Sequence, residues 1–295
     1  MTVAGKQPGA ARVPGCHPYA GAEVALLTRH GKERVIAPVL AEAMGCRVRH
    51  VAGHDTDLLG TFTREVSRPG TQLEAARKKA RIGMELTGLP YGMGSEGSFG
   101  PDPYLGLASW NVELIVFIDA SRDLEVVGMA QGAANFNHLL TSEWTAAKVF
   151  AARVGFPEQQ LVIRPEDEND VRIRKGIASW QALESTFARV RGDSANGRVF
   201  LETDGRACAN PKRMANISRA NQDLANKLGS LCPACGMPGF WVVDCIAGLP
   251  CEGCGLPTRQ VRAEIRGCLK CDFRITQAVA DREHANAGHC DYCNP

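Results

Sequence analysis

Residues 70–102, GTQLEAARKKARIGMELTGLPYGMGSEGSFGPD, decide how the chain is read. Thr71 and Glu74 have the T-x-x-E spacing of a capping box, so a helix should start there. Leu73, Ala76, Ala80 and Met84 mark an apolar stripe at helical period. Glu74 stands four before Lys78 and Arg81 four before Glu85, so the other face should carry ion pairs. Gly88 suits a left-handed stop, with Pro90 just beyond. Tyr91 and Met93 then alternate with glycines as in a short strand, and a glycine-rich loop, residues 94–100, is expected to follow. Glu96 in that loop has backbone N–H groups near it and no bulky cover. It reads either as a solvated turn residue or as a group that a metal or phosphate can approach closely.

Toward the N-terminus, residues 24–28 read as a buried strand and Thr28-Arg29-His30-Gly31-Lys32 as a basic turn. A helix with Val35, Ile36, Val39, Leu40, Ala43 and Met44 on one face follows, ending at Gly45. Residues 48–51 alternate like a second strand. A basic strand-to-helix turn is a common anion site, because free N–H groups and the helix dipole face the ligand. Thr28, Arg29 and Lys32 are its candidates, beside the plainer reading of a solvated turn. Residues 54–69 are polar and read as loop-rich. Arg77, Lys78, Lys79 and Arg81 read as a solvated helix face, from which one lysine could turn inward toward a phosphate.

Toward the C-terminus, residues 112–119 (VELIVFID) form the strongest strand in the sequence, with residues 124–130 as a hairpin partner. Residues 142–155 read as a helix capped by Ser142 and stopped by Gly155. Strands are expected at 160–164 and 198–203, a helix at 179–190, and a charged loop at 165–175. A second dense patch, TDGRACANPKRM (203–214), joins a strand to a helix that Asn210 caps and Pro211 opens. Asp204, Arg206, Lys212 and Arg213 could grip a phosphorylated ligand. Alternatively, Arg206 simply pairs with Asp204. Mixed strands and helices around one mainly buried sheet indicate an α/β fold, a mixed central sheet flanked by helices.

The chain has 295 residues, 44% hydrophobic and 22% charged, with net charge +2 and a pI near 8.0. That balance is globular and gives no argument for nucleic acid by itself. No apolar run of membrane-spanning length exists, so no membrane partner is expected. Residues 1–20 lack the apolar core of a signal peptide and read as a flexible arm, which points to a cytoplasmic protein. The expected organisation is this arm, an α/β domain over 21–229 and a metal module over 230–295.

Twelve cysteines in a cytoplasmic chain point to metal before disulfides. Eight stand in four C-x-x-C knuckles: Cys232/Cys235, Cys251/Cys254, Cys268/Cys271 and Cys290/Cys293. Two knuckles complete one tetrahedral site, so two structural zinc ions are expected in a zinc-ribbon-like tail. Gaps of 15 residues between the first two pairs and 18 between the last two fit consecutive pairing. First with third and second with fourth is equally geometric, and the likeness of CPACG and CEGCG mildly favours it. Cys245 is not expected to be a ligand, and His284 and His289 are spare candidates. Zinc would supply folding energy that a short, loop-rich tail lacks.

TRHGKERVIAP, GSEGSFGPDP, TDGRACANPKRM, CPACGMPGFW and CDYCNP together resemble an uncharacterised prokaryotic family, domain of unknown function 6671, from about Tyr19 onward. The first two-thirds also resembles, distantly, the inosine-triphosphate pyrophosphatase superfamily. Thr28 and Lys32 match its first loop with one residue fewer between them. Thr71, Glu74, Ala76, Lys79 and Ala80 match its helix motif, with Ala75 where the motif has asparagine. Ser95-Glu96-Gly97 falls near its acidic loop, with one acid instead of two. Arg206 and Arg213 lie where it has a late arginine. This resemblance implies Mg²⁺ bound through Glu74 and Glu96, with a metal-positioned water attacking the α-phosphorus of a nucleoside triphosphate. Lys32, Lys79, Arg206 and Arg213 would neutralise the phosphates. The alternative is a non-catalytic zinc-ribbon protein that binds nucleotide or nucleic acid. A homo-oligomer is compatible with either.

Overall fold

The computed structural model describes residues 17–52, 70–279 and 282–295. The expectations for 54–69 and for most of the N-terminal arm lie outside them. Strands β1 (Glu23–Leu27), β2 (Arg47–Val51), β3 (Tyr91–Pro101), β4 (Ser109–Asp119) and β5 (Leu124–Ala133) form one sheet in the order β2-β1-β3-β4-β5. β1 runs parallel to β2 and β3, while β3, β4 and β5 are antiparallel neighbours. The sheet is therefore mixed. Helix α1 (Glu33–Met44) links β1 to β2, and helix α2 (Gln72–Thr87) precedes β3.

α2 begins at the expected capping box, with Thr71 accepting from Glu74 N and Glu74 from Thr71 N, and stops at left-handed Gly88. The expected glycine loop is absent: β3 continues unbroken through residues 94–100. The glycines serve packing. A Cβ on Gly92 would sit 2.6 Å from the Ala80 carbonyl oxygen, and one on Gly94 would overlap the Ala76 carbonyl outright. Bare backbone on the strand, facing Ala76 and Ala80, lets α2 lie closer to the sheet than side chains would permit.

The other face of the sheet is covered by α1 and by helix α5 (Pro211–Gly229). Ile36, Leu40 and Met44 from α1 meet Ile217, Leu224 and Leu228 from α5 over Leu26, Met93, Ile115 and Phe117. α5 starts as expected, with Asn210 accepting from Arg213 N and Pro211 in its first turn. It also shields the β5 edge. Arg219 Nη2 donates to Gln131 O (3.3 Å), Asp223 Oδ2 accepts from Met129 N (2.8 Å), and Lys227 Nζ donates to Val127 O (2.9 Å). Two strand residues and four helix residues advance about the same distance, near 6–7 Å, so each edge group meets one helix turn. An edge answered this way offers no backbone to another strand.

A single buried sheet was expected, and a second one is present. Strands β6 (His138–Thr141), β7 (Leu161–Pro165), β8 (Arg174–Ile177) and β9 (Val199–Thr203) form an antiparallel sheet in the order β6-β9-β7-β8. Helices α3 (Trp144–Val154) and α4 (Trp180–Asp193) pack on it around Phe150, Leu161, Ile163, Leu183, Phe187 and Leu201. This unit is inserted between β5 and α5. Ser142 does not cap α3; Glu143 holds that position without a side-chain cap bond. The tail adds a third, antiparallel sheet of β10 (Trp241–Ala247), β11 (Val261–Gly267) and β12 (Arg274–Ala278). Among the described residues no helix is long and apolar enough to cross a membrane.

If the glycine contact sets the spacing of α2, Gly94→Ala should lower stability by about 3 kcal/mol or more in urea unfolding. Gly100→Ala, with open space at its Cβ, should be nearly silent. Equal unfolding midpoints for the two variants would contradict this packing.

Candidate functional site: a buried charge cluster and two thiolate tetrads

In the sheet order β2-β1-β3, α1 leaves β1 on one face and α2 enters β3 on the other. The carboxyl ends of the parallel strands β1 and β3 therefore diverge at a topological switch point, the place where open α/β sheets accommodate ligands. Lys32, at the start of α1, reaches across this gap. Its Nζ donates to Ser95 O (3.0 Å) and lies 3.2 Å from Ser95 Oγ. Four more charges lie within its electrostatic reach, two on each face of the sheet. Glu96 of β3 pairs with Lys79 of α2. Glu113 of β4 pairs with Arg213 of α5 at 2.7 Å, where both side chains are almost fully buried.

The Glu113–Arg213 pair is held from several sides. Glu113 Oε1 also accepts from Asn111 Nδ2 (3.0 Å), whose Oδ1 accepts from Asn216 Nδ2 (2.8 Å). Arg213 Nη1 donates to Gly205 O (2.6 Å) in the segment returning from β9, so it ties the second sheet to the first. Gly97 is the clearance for this pair. A Cβ there would overlap Glu113 Oε1 and come within 2.7 Å of Arg213 Nη2.

Three cations stand against two carboxylates in this buried cluster. Burial pulls the Lys32 ammonium down to about 7, with Arg213 adding repulsion and Glu113 and Glu96 opposing it. An anion placed beside Lys32 would restore its charge.

Of the residues selected from sequence, the fold gathers Lys32, Lys79, Glu96 and Arg213. Thr28 is buried, and its carbonyl oxygen is hydrogen-bonded by His50 Nε2 at 2.8 Å. Arg29 and Lys212 are exposed. Arg206 forks onto Asp204, with its Nη2 2.6 Å from Oδ2, which is the plain salt-bridged turn. Glu74 is exposed, and its carboxylate accepts from Thr71 N (2.7 Å) and Thr71 Oγ1 (3.0 Å). Both bonds fall on Oε2 and hold the carboxylate below its ordinary pKa, and Glu74 lines a recess with Arg77, Arg81 and Glu125 that does not include Glu96. Glu113 was not selected from sequence. A carboxylate inside VELIVFID was its only signal.

The tail brings its eight knuckle cysteines into two tetrads: Cys232, Cys235, Cys268 and Cys271, and then Cys251, Cys254, Cys290 and Cys293. Pairing is interleaved, first knuckle with third and second with fourth. Between knuckles, Cys232 and Cys271 sulfurs are 3.7 Å apart and Cys235 and Cys268 3.6 Å, while Cys251 and Cys293 are 3.9 Å apart and Cys254 and Cys290 3.6 Å. Four Zn–S bonds of about 2.3 Å at tetrahedral angles set sulfurs about 3.8 Å apart. A disulfide would bring them to about 2.05 Å. Backbone N–H groups of Gly253 and Lys270 point at Cys251 Sγ and Cys268 Sγ, both at 3.3 Å, and favour thiolates. All-cysteine donors at this spacing fit a closed structural zinc site.

The first tetrad docks on the α/β region. Phe240 and Phe273 pack against Cys232 and Cys268, Met237 joins the main core, and Lys270 Nζ bonds Asp123 of the β4–β5 turn at 2.9 Å. The second is bound to the module's own backbone, with Glu252 N donating to Ala285 O and Ala285 N to Pro250 O.

An α/β protein with a docked thiolate module is the class these features define. Residues 79–295 match the family described as Domain of unknown function (DUF6671), and the chain belongs to it. The match begins within α2, later than the expected Tyr19, and takes in both tetrads. No curated protein matches the chain.

The purified chain should carry two zinc ions. Cys268→Ser should lower the unfolding midpoint of the α/β region, and Cys290→Ser should lose one zinc and leave that midpoint largely unchanged. Equal losses for both variants would contradict the docking asymmetry. Lys32→Met should stabilise the protein, most below about pH 7, where the buried lysine is charged in both states. Between about 7 and its ordinary 10.5 the unfolded chain binds the extra proton, so the wild type gains stability with rising pH. The advantage of Lys32→Met should shrink across that window in urea titrations, and a pH-independent difference would refute the assignment.

Proposed function

We propose that the α/β region is a nucleoside-triphosphate pyrophosphatase-like hydrolase, with the switch-point charge cluster as its polyphosphate site. One observation carries the reading: Lys32, just past the carboxyl end of β1, lies within electrostatic reach of Lys79 and Glu96 on one face of the sheet and of Glu113 and Arg213 on the other. An inosine-triphosphatase-like fold and a prokaryotic source belong to the same reading, supported by the order of the Thr28/Lys32, Thr71–Ala80 and Ser95–Gly97 matches. A cytoplasmic location also belongs to it, since eight metal-binding thiolates persist best in a reducing compartment.

Lys32 and Lys79 are the groups placed to neutralise phosphate oxygens. Arg213 is spent on Glu113 and Gly205, so it fixes the cluster and adds field without a direct contact. Arg206 and Lys212 would need to leave their present positions to take part. Mg²⁺ meets a reduced donor set. With Glu74 lining a separate recess, Glu96 is the carboxylate of that pair left to hold it, and Mg²⁺ commonly takes one or two carboxylates together with substrate phosphates. When bound it would supply charge neutralisation and a positioned water. Glu96 would then exchange Lys79 for the ion, freeing that ammonium for phosphate.

The alternative, nucleic-acid binding by the tail, is disfavoured by charge. Residues 230–295 hold six Arg and Lys against seven Asp and Glu. Each zinc with four thiolates adds two negative charges, which repels a phosphate backbone.

The test is pyrophosphate release from a panel of nucleoside triphosphates with Mg²⁺. Wild type should turn over at least one, Glu96→Gln should lose about 100-fold or more in kcat, and Lys32→Met should weaken KM and kcat together. No turnover on any triphosphate, or full activity in Glu96→Gln, would falsify the hydrolase.

A further inference from the structure

The β3–β4 connection, residues 102–108, is a short loop that holds large apolar side chains in water. Tyr104, Leu105 and Leu107 are 79%, 77% and 87% exposed. The loop is not slack. The Asp102 carboxylate accepts from the backbone N–H groups of Tyr104 (3.1 Å), Leu105, Leu107 and Ala108 (2.8 Å each), which also lowers its pKa. A loop pre-ordered around its single charge, with apolar side chains outward, has already met much of the entropic cost of binding.

An apolar groove of about 410 Å³ lies along α3, lined by Leu139, Val149 and Phe150, with Val149 69% exposed. Its one charged lining residue, Arg153, sits over the Phe150 ring at 5.6 Å. Knuckle and groove flank the same short segment. Ser109, at the end of the loop, donates from Oγ to Phe136 O (3.0 Å), and Phe136 precedes β6, which supplies Leu139.

We propose that the protein forms a two-fold dimer in which the 102–108 knuckle of each copy fills the α3 groove of the other. A second copy fits for three reasons. Both faces lack a free like charge, so identical chains do not repel. The Ser109–Phe136 hydrogen bond ties the segments that carry knob and hole together, so one copy can offer both to its partner, as an isologous contact needs. The two-fold axis doubles the buried area, which matters because stable interfaces bury roughly 1,200 Å² or more. Pairing through β5 is not an alternative, since Arg219, Asp223 and Lys227 occupy that edge. A membrane is the poorer match, as the 102–108 loop carries no basic residue.

Sedimentation equilibrium of the full, zinc-loaded chain tests this. Wild type should show a reversible monomer–dimer equilibrium. Leu105→Asp/Leu107→Asp and Val149→Lys, all at exposed positions, should each be folded by circular dichroism and shifted at least tenfold toward monomer. Mixing the two variants should recover dimer, because one wild-type knuckle then meets one wild-type groove. A wild type that stays monomeric at its highest soluble concentration overturns the proposal. So does a dimer indifferent to both variants, a mixture that stays monomeric, or a knuckle that binds phosphatidylcholine vesicles while the chain remains monomeric.

Discussion

The close approach of α2 to β3 governs the rest of the molecule. Gly92 and Gly94 leave the strand without side chains where the helix passes, and Ala76 and Ala80 leave the helix nearly bare in return. Only at that spacing does Lys79 reach Glu96. The same contact commits α2 to one face of the sheet while α1 and α5 take the other, so the charges at the carboxyl end of β1 are buried from both sides. Packing and site geometry thus share one cause. A larger side chain in β3 would cost stability and move Lys79 together.

Charges in the cluster are expensive to bury and are arranged to limit that cost. Glu113 and Arg213 desolvate as a pair, and the Asn111–Asn216 bond supports it. Such a pair is weak evidence for stability, since apolar residues often do as well, but it fixes geometry. Among the described residues Lys32 has no paired carboxylate and bonds to Ser95 instead, and burial pulls its ammonium down. The zinc-type tetrads solve a different problem. The tail has small strands and a thin cluster around Phe240 and Phe273, and metal would supply cohesion that this core cannot.

Local signals in the sequence were legible where one side chain answers one backbone group. The Thr71–Glu74 cap, the Gly88 and Gly45 stops, the Asn210 cap and the β4–β5 hairpin all arise from short-range chemistry. The eight tetrad cysteines were legible by spacing, while their interleaving depends on how β10 and β11 pair. The features that stayed hidden depend on tertiary contact. Glycines in 92–97 carry turn propensity, and nothing local says that a helix will rest on them. Glu113 looked like an exception within a core strand until Arg213, 100 residues away, supplied its partner. The separate sheet of β6–β9 was hidden because its strands resemble those of the first, and strand order is not local information. Glu74 could be read as a cap or as a ligand, and the fold places its carboxylate on Thr71.

The central claim is that distant segments bring a buried lysine and four further charges together at the carboxyl end of β1, and that this lysine takes up an anion. Lysine side-chain NMR, with 13C at Cε and Lys32→Arg to assign the resonance, addresses it most directly. In the free protein one lysine should titrate near pH 7, and inorganic tripolyphosphate should move that midpoint upward by more than about one pH unit. If Lys32 instead titrates at the ordinary value of 10.5, or ignores tripolyphosphate, the cluster is not a phosphate site and this account of the α/β region is wrong.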